Sequence, residues 1–121
     1  GNVIIVNGGV KMEITMNLYY SGVGGRARMF VEEMESSGVA DAIRNEDGNL
    51  RYEYFLSLDD PETVLLIDSW RDQTTLDAHH GSEMMEQISA LREKYDLHMR
   101  SERYVNDESG MPDKDNSFIR K

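Results

Sequence analysis

The chain has 121 residues, and its 23 acidic against 13 basic side chains give a formal net charge of -10. An acidic surface repels phosphate backbones and anionic lipid headgroups, which argues against nucleic acid and membrane surfaces as partners. The absence of cysteine excludes disulfides, thiolate metal sites and cysteine nucleophiles, and it fits a reducing compartment.

Residues 1–10 are predicted to be an extension in front of the folded domain. Their apolar run, residues 3–6, is too short for the core of a signal peptide and follows no basic leader. Together with the missing cysteines, this leads us to expect a cytoplasmic protein.

The first predicted elements are a strand and a helix. Apolar and polar side chains alternate over residues 11–20, which is the period of a β-strand. Glycines within residues 21–25 break that pattern, and apolar side chains then recur at helical spacing from Ala27 to Met34. The small residues that end at Gly38 predict that this helix is bent or interrupted there.

Two strands and a short helix are predicted next. Residues 50–56 and 64–70 are mostly apolar, and the short polar loop between them contains Pro61. Such a loop between two strands predicts a β-hairpin. Asp72 is then placed to cap a short helix that runs to His80.

The last predicted elements complete a βαββαβ order. Ser82 is placed to cap a longer helix, and alternation over residues 97–105 predicts the fourth strand. This order is typical of an α+β, ferredoxin-like domain with helices on one face of an antiparallel sheet, here over residues 11–105. Residues 106–121 are predicted to form a polar tail that reaches across a dimer.

The third predicted strand carries apolar side chains on both of its faces. Val64 and Leu66 lie on one side, and Leu65 and Ile67 lie on the other. Because one layer of helices covers only one face of a sheet, the second face needs another partner. The simplest partner is a second copy of the chain, so we predict a homodimer that packs sheet to sheet.

The end of this strand predicts the wall of a half-apolar pocket between sheet and helices. Leu66, Asp68 and Trp70 share one face, and the hairpin places Tyr52 and Tyr54 beside them. The result is an aromatic surface interrupted by one carboxylate. Ordinary core packing, with the polar ends satisfied by neighbours, explains the same pattern equally well.

Histidines supply the candidate base. His79 and His80 are adjacent on the short helix, so only one of them faces inward. An inward histidine could accept a proton from a phenol or an enol, although a structural role is the commoner one for a packed histidine. The remaining histidine, His98, lies on another strand, and no recognised ligand spacing is present, so we predict no metal site.

Two further features give a weaker indication of function. Asn17, on the first strand, could hydrogen-bond a substrate oxygen or hold dioxygen. Alternatively, its amide could be hydrogen-bonded to the backbone or to solvent.

The run from Gly22 to Ala27 matches G-x-G-x-x-A between a strand and a helix. A dinucleotide fold needs parallel strands, whereas the next two strands here form a hairpin. We therefore predict a flexible loop at the pocket edge instead of a nicotinamide site.

Four segments resemble the antibiotic biosynthesis monooxygenase superfamily, namely residues 48–53, 59–61, 70–73 and 76–79, and the resemblance extends over residues 11–105. It implies a ferredoxin-like homodimer with a shared eight-stranded barrel, a dimeric α+β barrel. Members of the superfamily include cofactor-free oxygenases of polyketide and quinol substrates, haem-degrading enzymes and an isomerase of a phosphorylated autoinducer.

The resemblance is partial at the level of single residues. The chain is similar to the polyketide-oxidising members at Trp70, but their asparagine and tyrosine fall at Leu66 and Leu76. It is similar to the haem-degrading members at Asn17, but their tryptophan and iron-ligating histidine fall at His79 and Ser89, which disfavours haem degradation. The isomerase is similar over residues 48–52 and at His79, although no basic phosphate pocket is evident here.

These observations favour a cofactor-independent monooxygenase of a small electron-rich aromatic, such as a quinol or polyketide-like compound, with dioxygen as the second substrate. The predicted catalytic residues are His79, Trp70 and Asn17. The predicted substrate-binding residues are Tyr52, Tyr54, Leu66, Asp68, Leu76 and His80. Two alternatives remain open: a cofactor-free isomerase or other proton-transfer enzyme with the same pocket, and a non-catalytic dimer that binds a small ligand.

Overall fold

The computed structural model describes residues 12–121. The predicted N-terminal extension, residues 1–10, and the start of the first predicted strand at Lys11 lie outside the described residues. The strands are β1 (Ile14–Ser21), β2 (Asn49–Leu56), β3 (Thr63–Trp70) and β4 (His98–Val105). The helices are α1 (Arg26–Ser36), α2 (Val39–Arg44), α3 (Gln73–His80), α4 (Met84–Lys94) and α5 (Asp113–Asn116), and a single 3-10 turn, Val23–Gly25, precedes α1.

The four strands form one antiparallel sheet in the order β2-β3-β1-β4. Helices α1 to α4 pack on one of its faces, so the chain has the α+β, ferredoxin-like fold, and the predicted βαββαβ order is confirmed. Within the described residues, no helix is long and apolar enough to cross a bilayer.

Helix boundaries follow local chemistry, with one exception. Gly38 has a φ of 87°, a left-handed conformation that suits glycine, and this separates α1 from α2 where the sequence predicted an interruption. Asp72 caps α3 as predicted, because its Oδ1 accepts the Thr75 amide N–H at 2.9 Å. The predicted cap at Ser82 is wrong: its hydroxyl donates to the carbonyl of His79 at 2.7 Å, and α4 begins at Met84.

The core lies between the sheet and the helices. The strand register defines the face of the sheet that points toward the helices. On this face, Ile14 of β1 lies opposite Trp70 of β3, and Leu18 lies opposite Leu66. The buried side chains on that side come from β1, β2, β3 and the first four helices: Ile14, Tyr20, Phe30, Met34, Val39, Ala40, Ile43, Tyr52, Leu66, Trp70, Leu76 and Ile88. Burial of these apolar surfaces supplies the main driving force for folding.

The other face of the sheet has no helix on it. Phe55, Leu65 and Ile67 lie there and are only half-buried. Polar side chains surround them and hydrogen-bond to one another. For example, the Tyr19 hydroxyl donates to Glu102 at 2.9 Å. The third strand therefore does carry apolar residues on both faces.

The segment after β4 packs little against the domain. At the start of this segment, Asn106 is hydrogen-bonded to the residue that precedes β1: its Oδ1 accepts the Glu13 amide N–H at 2.7 Å. Every residue beyond it is exposed, including Phe118 at 87%. The reach of this tail across a dimer stays a prediction.

Candidate functional site

A buried carboxylate and an indole occupy the end of β3. Asp68 and Trp70 are two residues apart and so share the inward face, where the Trp70 indole N–H donates to Asp68 Oδ1 at 2.7 Å. Trp70 is 0% exposed and Asp68 is 4% exposed. Burial raises the pKa of Asp68 to about 6, although the nearby His79 and the indole hydrogen bond both favour the ionised form. Asp68 can therefore exchange a proton close to neutral pH.

His79 is the inward histidine of the pair on α3. It is 3% exposed, and its ring stacks on Trp70 with centroids 4.7 Å apart and an interplanar angle of 23°. Its Nδ1 lies 2.8 Å from Glu46 Oε1. A neutral histidine that donates its Nδ1–H to a carboxylate keeps the Nε2 lone pair available to accept a proton. The geometry therefore suits a base that the carboxylate orients.

Sequence reasoning missed Glu46. The residue lies in the loop between α2 and β2, and that loop approaches α3 closely at Gly48, which has a φ of 85°. A Cβ at Gly48 would overlap the side chain of Thr75, so the close approach requires glycine. On the surface, Arg71 binds both carboxylate oxygens of Asp47, at 3.1 and 3.0 Å, which fixes the loop from outside. Nothing in the sequence signals the contact of this loop with α3.

His80 lies on the outer side of α3. It is exposed, and partial burial and the adjacent His79 lower its pKa below the ordinary value. The rings of the two histidines are 5.7 Å apart. His80 is therefore outside the buried cluster and serves as a natural control for its neighbour.

The two predicted tyrosines lie beside this cluster. Tyr52 is opposite Asp68 and Tyr54 is opposite Leu66, so both point to the inward face. Their rings meet edge to face at 5.7 Å, and the Tyr54 hydroxyl donates to that of Tyr52 at 3.4 Å. Burial raises the pKa of each phenol well above its usual range, so both keep their protons at neutral pH.

Asn17 is not brought to the same place. It pairs with Ile67 on β3 and Glu102 on β4, so its side chain lies on the open face of the sheet. The sheet itself separates it from Trp70 and His79. Within one chain, a ligand that touches His79 on the helix side cannot also touch Asn17.

The interior around the cluster is closely packed. Leu66 and Leu76, which stand where the resemblance placed polar residues, are almost fully buried in the core. A cleft of about 260 Å³ opens nearby, between α1 and the strands β2 and β3. Its lining is mainly apolar and consists of Arg28, Val31, Glu32, Tyr54, Phe55, Leu56 and Val64. Tyr54 is thus the one member of the predicted pocket wall that also borders this cleft.

In residues 12–121, no three His, Asp or Glu side chains lie close enough together to hold a metal ion. In the glycine loop, the amides of Gly24 and Gly25 donate to the carboxylate of Glu62 at 2.6 and 3.0 Å. These two backbone amides of the loop therefore already have an acceptor within the same chain, the Glu62 carboxylate.

Solved structures with this fold were found at low sequence identity. A conserved protein of unknown function from Bacteroides thetaiotaomicron is 16% identical, covers 79% of this chain and 99% of its own, and has a TM-score of 0.70. PA3566 from Pseudomonas aeruginosa is 21% identical over 78% of this chain and 94% of its own, with a TM-score of 0.66. SnoaB, a cofactor-independent oxygenase from Streptomyces nogalater, is 17% identical over 82% of this chain and 95% of its own, with a TM-score of 0.61.

These similarities establish the class of protein, a ferredoxin-like α+β domain of the kind seen in all three structures. The family model for antibiotic biosynthesis monooxygenase matches residues 14–91, which is most of the described domain. The chain therefore belongs to the antibiotic biosynthesis monooxygenase family. No curated protein matches it closely enough to transfer a more specific activity.

Proposed function

We propose that the chain is a cofactor-independent monooxygenase of a small electron-rich aromatic compound. The observation that carries the proposal is the pairing of a buried His79 with Glu46 on one side and Trp70 on the other. Family membership supports it, and SnoaB, a cofactor-independent oxygenase, has the same fold at low identity.

The reaction needs a base because the substrate itself must reduce dioxygen. For a hydroquinone, the balanced change is hydroquinone plus dioxygen to hydroxyquinone plus water. One oxygen atom forms the new C–O bond, the other leaves as water, and all four electrons come from the substrate. A phenolate gives up an electron far more readily than its phenol, so removal of the phenolic proton in a water-poor site is the protein's main task.

His79 takes the phenolic proton on Nε2, and Glu46 stabilises the imidazolium that forms. A carboxylate at Nδ1 fixes the ring orientation and the tautomer. Because Glu46 is partly exposed whereas His79 is not, Glu46 also links the buried ring to solvent. Glu46 acts through His79 and is a positioning residue.

The substrate enters through the cleft at α1 and binds along the aromatic wall. The cleft volume of about 260 Å³ is near the lower end for small-molecule sites, roughly 300 Å³, which suits one or two fused rings. Tyr54 borders both the cleft and Tyr52, so its side chain must move aside as the substrate passes.

Oxygen dependence tests the proposal against its rivals. Hydroquinones and naphthols are offered to the protein in the presence of a chelator, and substrate and dioxygen are followed together. We expect equimolar loss of both and no turnover under argon. Turnover without dioxygen would instead identify a proton-transfer enzyme, and a ligand that is bound but recovered unchanged would identify a binding module.

We further propose that the protein is a homodimer in which two open sheet faces pack together. Phe55, Leu65 and Ile67 form a half-buried apolar strip that no described helix covers. A second copy supplies the complementary surface under two-fold symmetry, because each protomer offers the same strip. Light scattering at micromolar concentration should then give twice the 13.9 kDa mass of one chain.

A further inference from the structure

Asp68 is a buried titratable group that the proposed mechanism does not use. Its side chain is 4% exposed, and its Oδ1 accepts the Trp70 indole N–H at 2.7 Å. Among residues 12–121, this indole is the only group that hydrogen-bonds to the Asp68 carboxylate. Burial of a carboxylate that has no ion-pair partner costs more free energy than one hydrogen bond returns. Net stabilisation of the fold therefore does not account for Asp68.

The hydrogen bond to Asp68 fixes the orientation of the Trp70 indole. Rotation of a tryptophan ring about its bond to Cβ is broad and roughly two-fold, so the ring has two main orientations. Only one of them directs the N–H toward Asp68, which lies two residues earlier on the same face of β3. Asp68 is itself held by the sheet, since it pairs with Met16 on β1 and Tyr52 on β2. The sheet therefore orients the indole through one carboxylate.

The oriented indole in turn supports the ring of His79. The two rings stack with centroids 4.7 Å apart and an interplanar angle of 23°, and both side chains are buried. Glu46 contacts the imidazole only at Nδ1, at 2.8 Å. A single hydrogen bond lets the ring turn about the line between its two atoms, whereas a stacked neighbour fixes the plane of the ring. The direction of Nε2 therefore depends on Trp70 as well as on Glu46.

We propose that Asp68 is a positioning residue, which holds the Trp70 indole against His79 and so fixes the direction of the Nε2 lone pair. Asp68 acts on His79 through Trp70 and needs no contact with the substrate. A carboxylate suits this role because it has acceptors only, so either oxygen can hold the indole N–H. The inference rests on the proposed function for the role of His79 as the base. The arrangement of the three side chains is measurable without substrate.

Solution NMR tests this arrangement directly. Trp70 is the only tryptophan of the chain, so its indole resonances are assigned without ambiguity. In the wild type we expect nuclear Overhauser peaks between the ring protons of Trp70 and those of His79. Asp68→Leu removes the acceptor, and these peaks should lose most of their intensity. Asp68→Asn keeps an acceptor oxygen for the indole N–H and should keep the peaks.

Ser69→Ala is the matched control. Ser69 lies between Asp68 and Trp70 on β3, but its hydroxyl hydrogen-bonds to Thr15 on the opposite face of the sheet. The change deletes one hydrogen bond from the same strand without touching the indole, so the ring peaks should stay. Asp68→Leu should fold, because it removes the cost of burying a charge, and Asp68→Ala repeats the test in a smaller side chain.

Two NMR results would overturn the inference. The first is a set of ring peaks with unchanged intensity in Asp68→Leu and Asp68→Ala. The second is an equal loss of the peaks in Asp68→Leu and in either Asp68→Asn or Ser69→Ala, since the acceptor oxygen would then not be what orients the indole.

Oxygen uptake extends the comparison to catalysis. In Asp68→Leu, kcat should fall by about 10-fold with little change in KM, because a misdirected base slows the chemical step more than binding. Asp68→Asn should keep kcat within about 3-fold of the wild type. Unchanged kcat in Asp68→Leu would overturn the inference and leave the monooxygenase assignment intact. Ring peaks that respond as expected in a protein that consumes no oxygen would keep the positioning of His79 by Asp68 and remove the proposed function.

Discussion

On the face of the sheet that the helices cover, polar groups are few and buried, and burial raises their pKa values, to about 6 for Asp68. On the open face they are numerous and pair with one another: Thr15 with the buried Ser69 at 2.8 Å, and Arg51 with Glu53 at 3.0 Å. Exposed ion pairs such as Arg51 with Glu53 contribute little to stability. A carboxylate without a charged partner in a dry core costs much more.

In the function proposed above, the two faces of the sheet have different tasks. The covered face supplies proton chemistry in a water-poor space, and the open face supplies the apolar strip for assembly. The strands alternate between the two, so each β3 residue serves one task only. Substitutions on opposite faces of that strand should therefore have separable effects.

The largest expected effect is on assembly. Ile67→Arg places one charge per protomer in the proposed interface and should weaken the dimer by roughly 1,000-fold, or about 4 kcal/mol. Light scattering across a dilution series measures it. Leu58→Arg is the control, since Leu58 is 100% exposed in the hairpin loop, and its dimer should be intact. A monomeric wild type would remove the assembly role of the open face.

The next effect is the pH dependence of stability caused by Asp68. Its pKa of about 6 in the folded chain lies above the ordinary value near 4, so the protonated group stabilises the fold below pH 4. That contribution is lost as the pH rises through about 6. Relative to Asp68→Asn, the wild type should lose about 3 kcal/mol of unfolding free energy between pH 4 and 7.5.

Asp59→Asn is the matched control for this pH series, because Asp59 is exposed in the loop between β2 and β3. Its stability relative to wild type should stay within about 0.5 kcal/mol, as for an ordinary surface change. If the curves for the wild type and Asp68→Asn run parallel across the whole pH range, Asp68 is not a perturbed carboxyl.

A comparable effect on catalysis is expected at His79. Removal of the base in His79→Ala should lower kcat by about 100-fold. His80→Ala removes the adjacent, exposed ring and should change kcat by less than about 3-fold, which is below the range of general base catalysis. Steady-state oxygen uptake compares the two variants. Equal rates in both would exclude the histidine as the base.

The smallest effect concerns the orientation of His79. Glu46→Gln keeps a hydrogen-bond acceptor at Nδ1 but removes the charge that stabilises the imidazolium, so kcat should fall by about 10-fold with little change in KM. Glu86→Gln changes an exposed carboxylate on α4 and should leave kcat unchanged. A purely structural role for Glu46 would lower stability in Glu46→Gln without a selective loss of kcat.

Much of the fold followed from periodicity. Alternation identified the first and fourth strands, and apolar runs on either side of a short polar loop identified the second and third. The shared face of Leu66, Asp68 and Trp70 follows from residue parity within one strand. The position of Tyr52 and Tyr54 beside them could be predicted because a short hairpin fixes the relative register. The cap at Asp72 depends only on neighbouring residues, which is why it was also predictable.

The remaining features depend on contacts distant in sequence. Asn17 and Trp70 were expected to act together, but β1 pairs with β3 so that Asn17 meets Ile67, and parity between separate strands is set by packing alone. Glu46 reaches His79 only because Gly48 lets its loop approach α3.

Isotope labelling tests the central claim most directly, that the covered face of the sheet supports oxygenation by dioxygen without a cofactor. The protein, freed of metals by chelation, converts a hydroquinone under ¹⁸O₂, and mass spectrometry reads the product. We expect one labelled oxygen atom in each hydroxyquinone and none when only the water is labelled. Product that carries its new oxygen from water, or that forms equally well under argon, would contradict the claim.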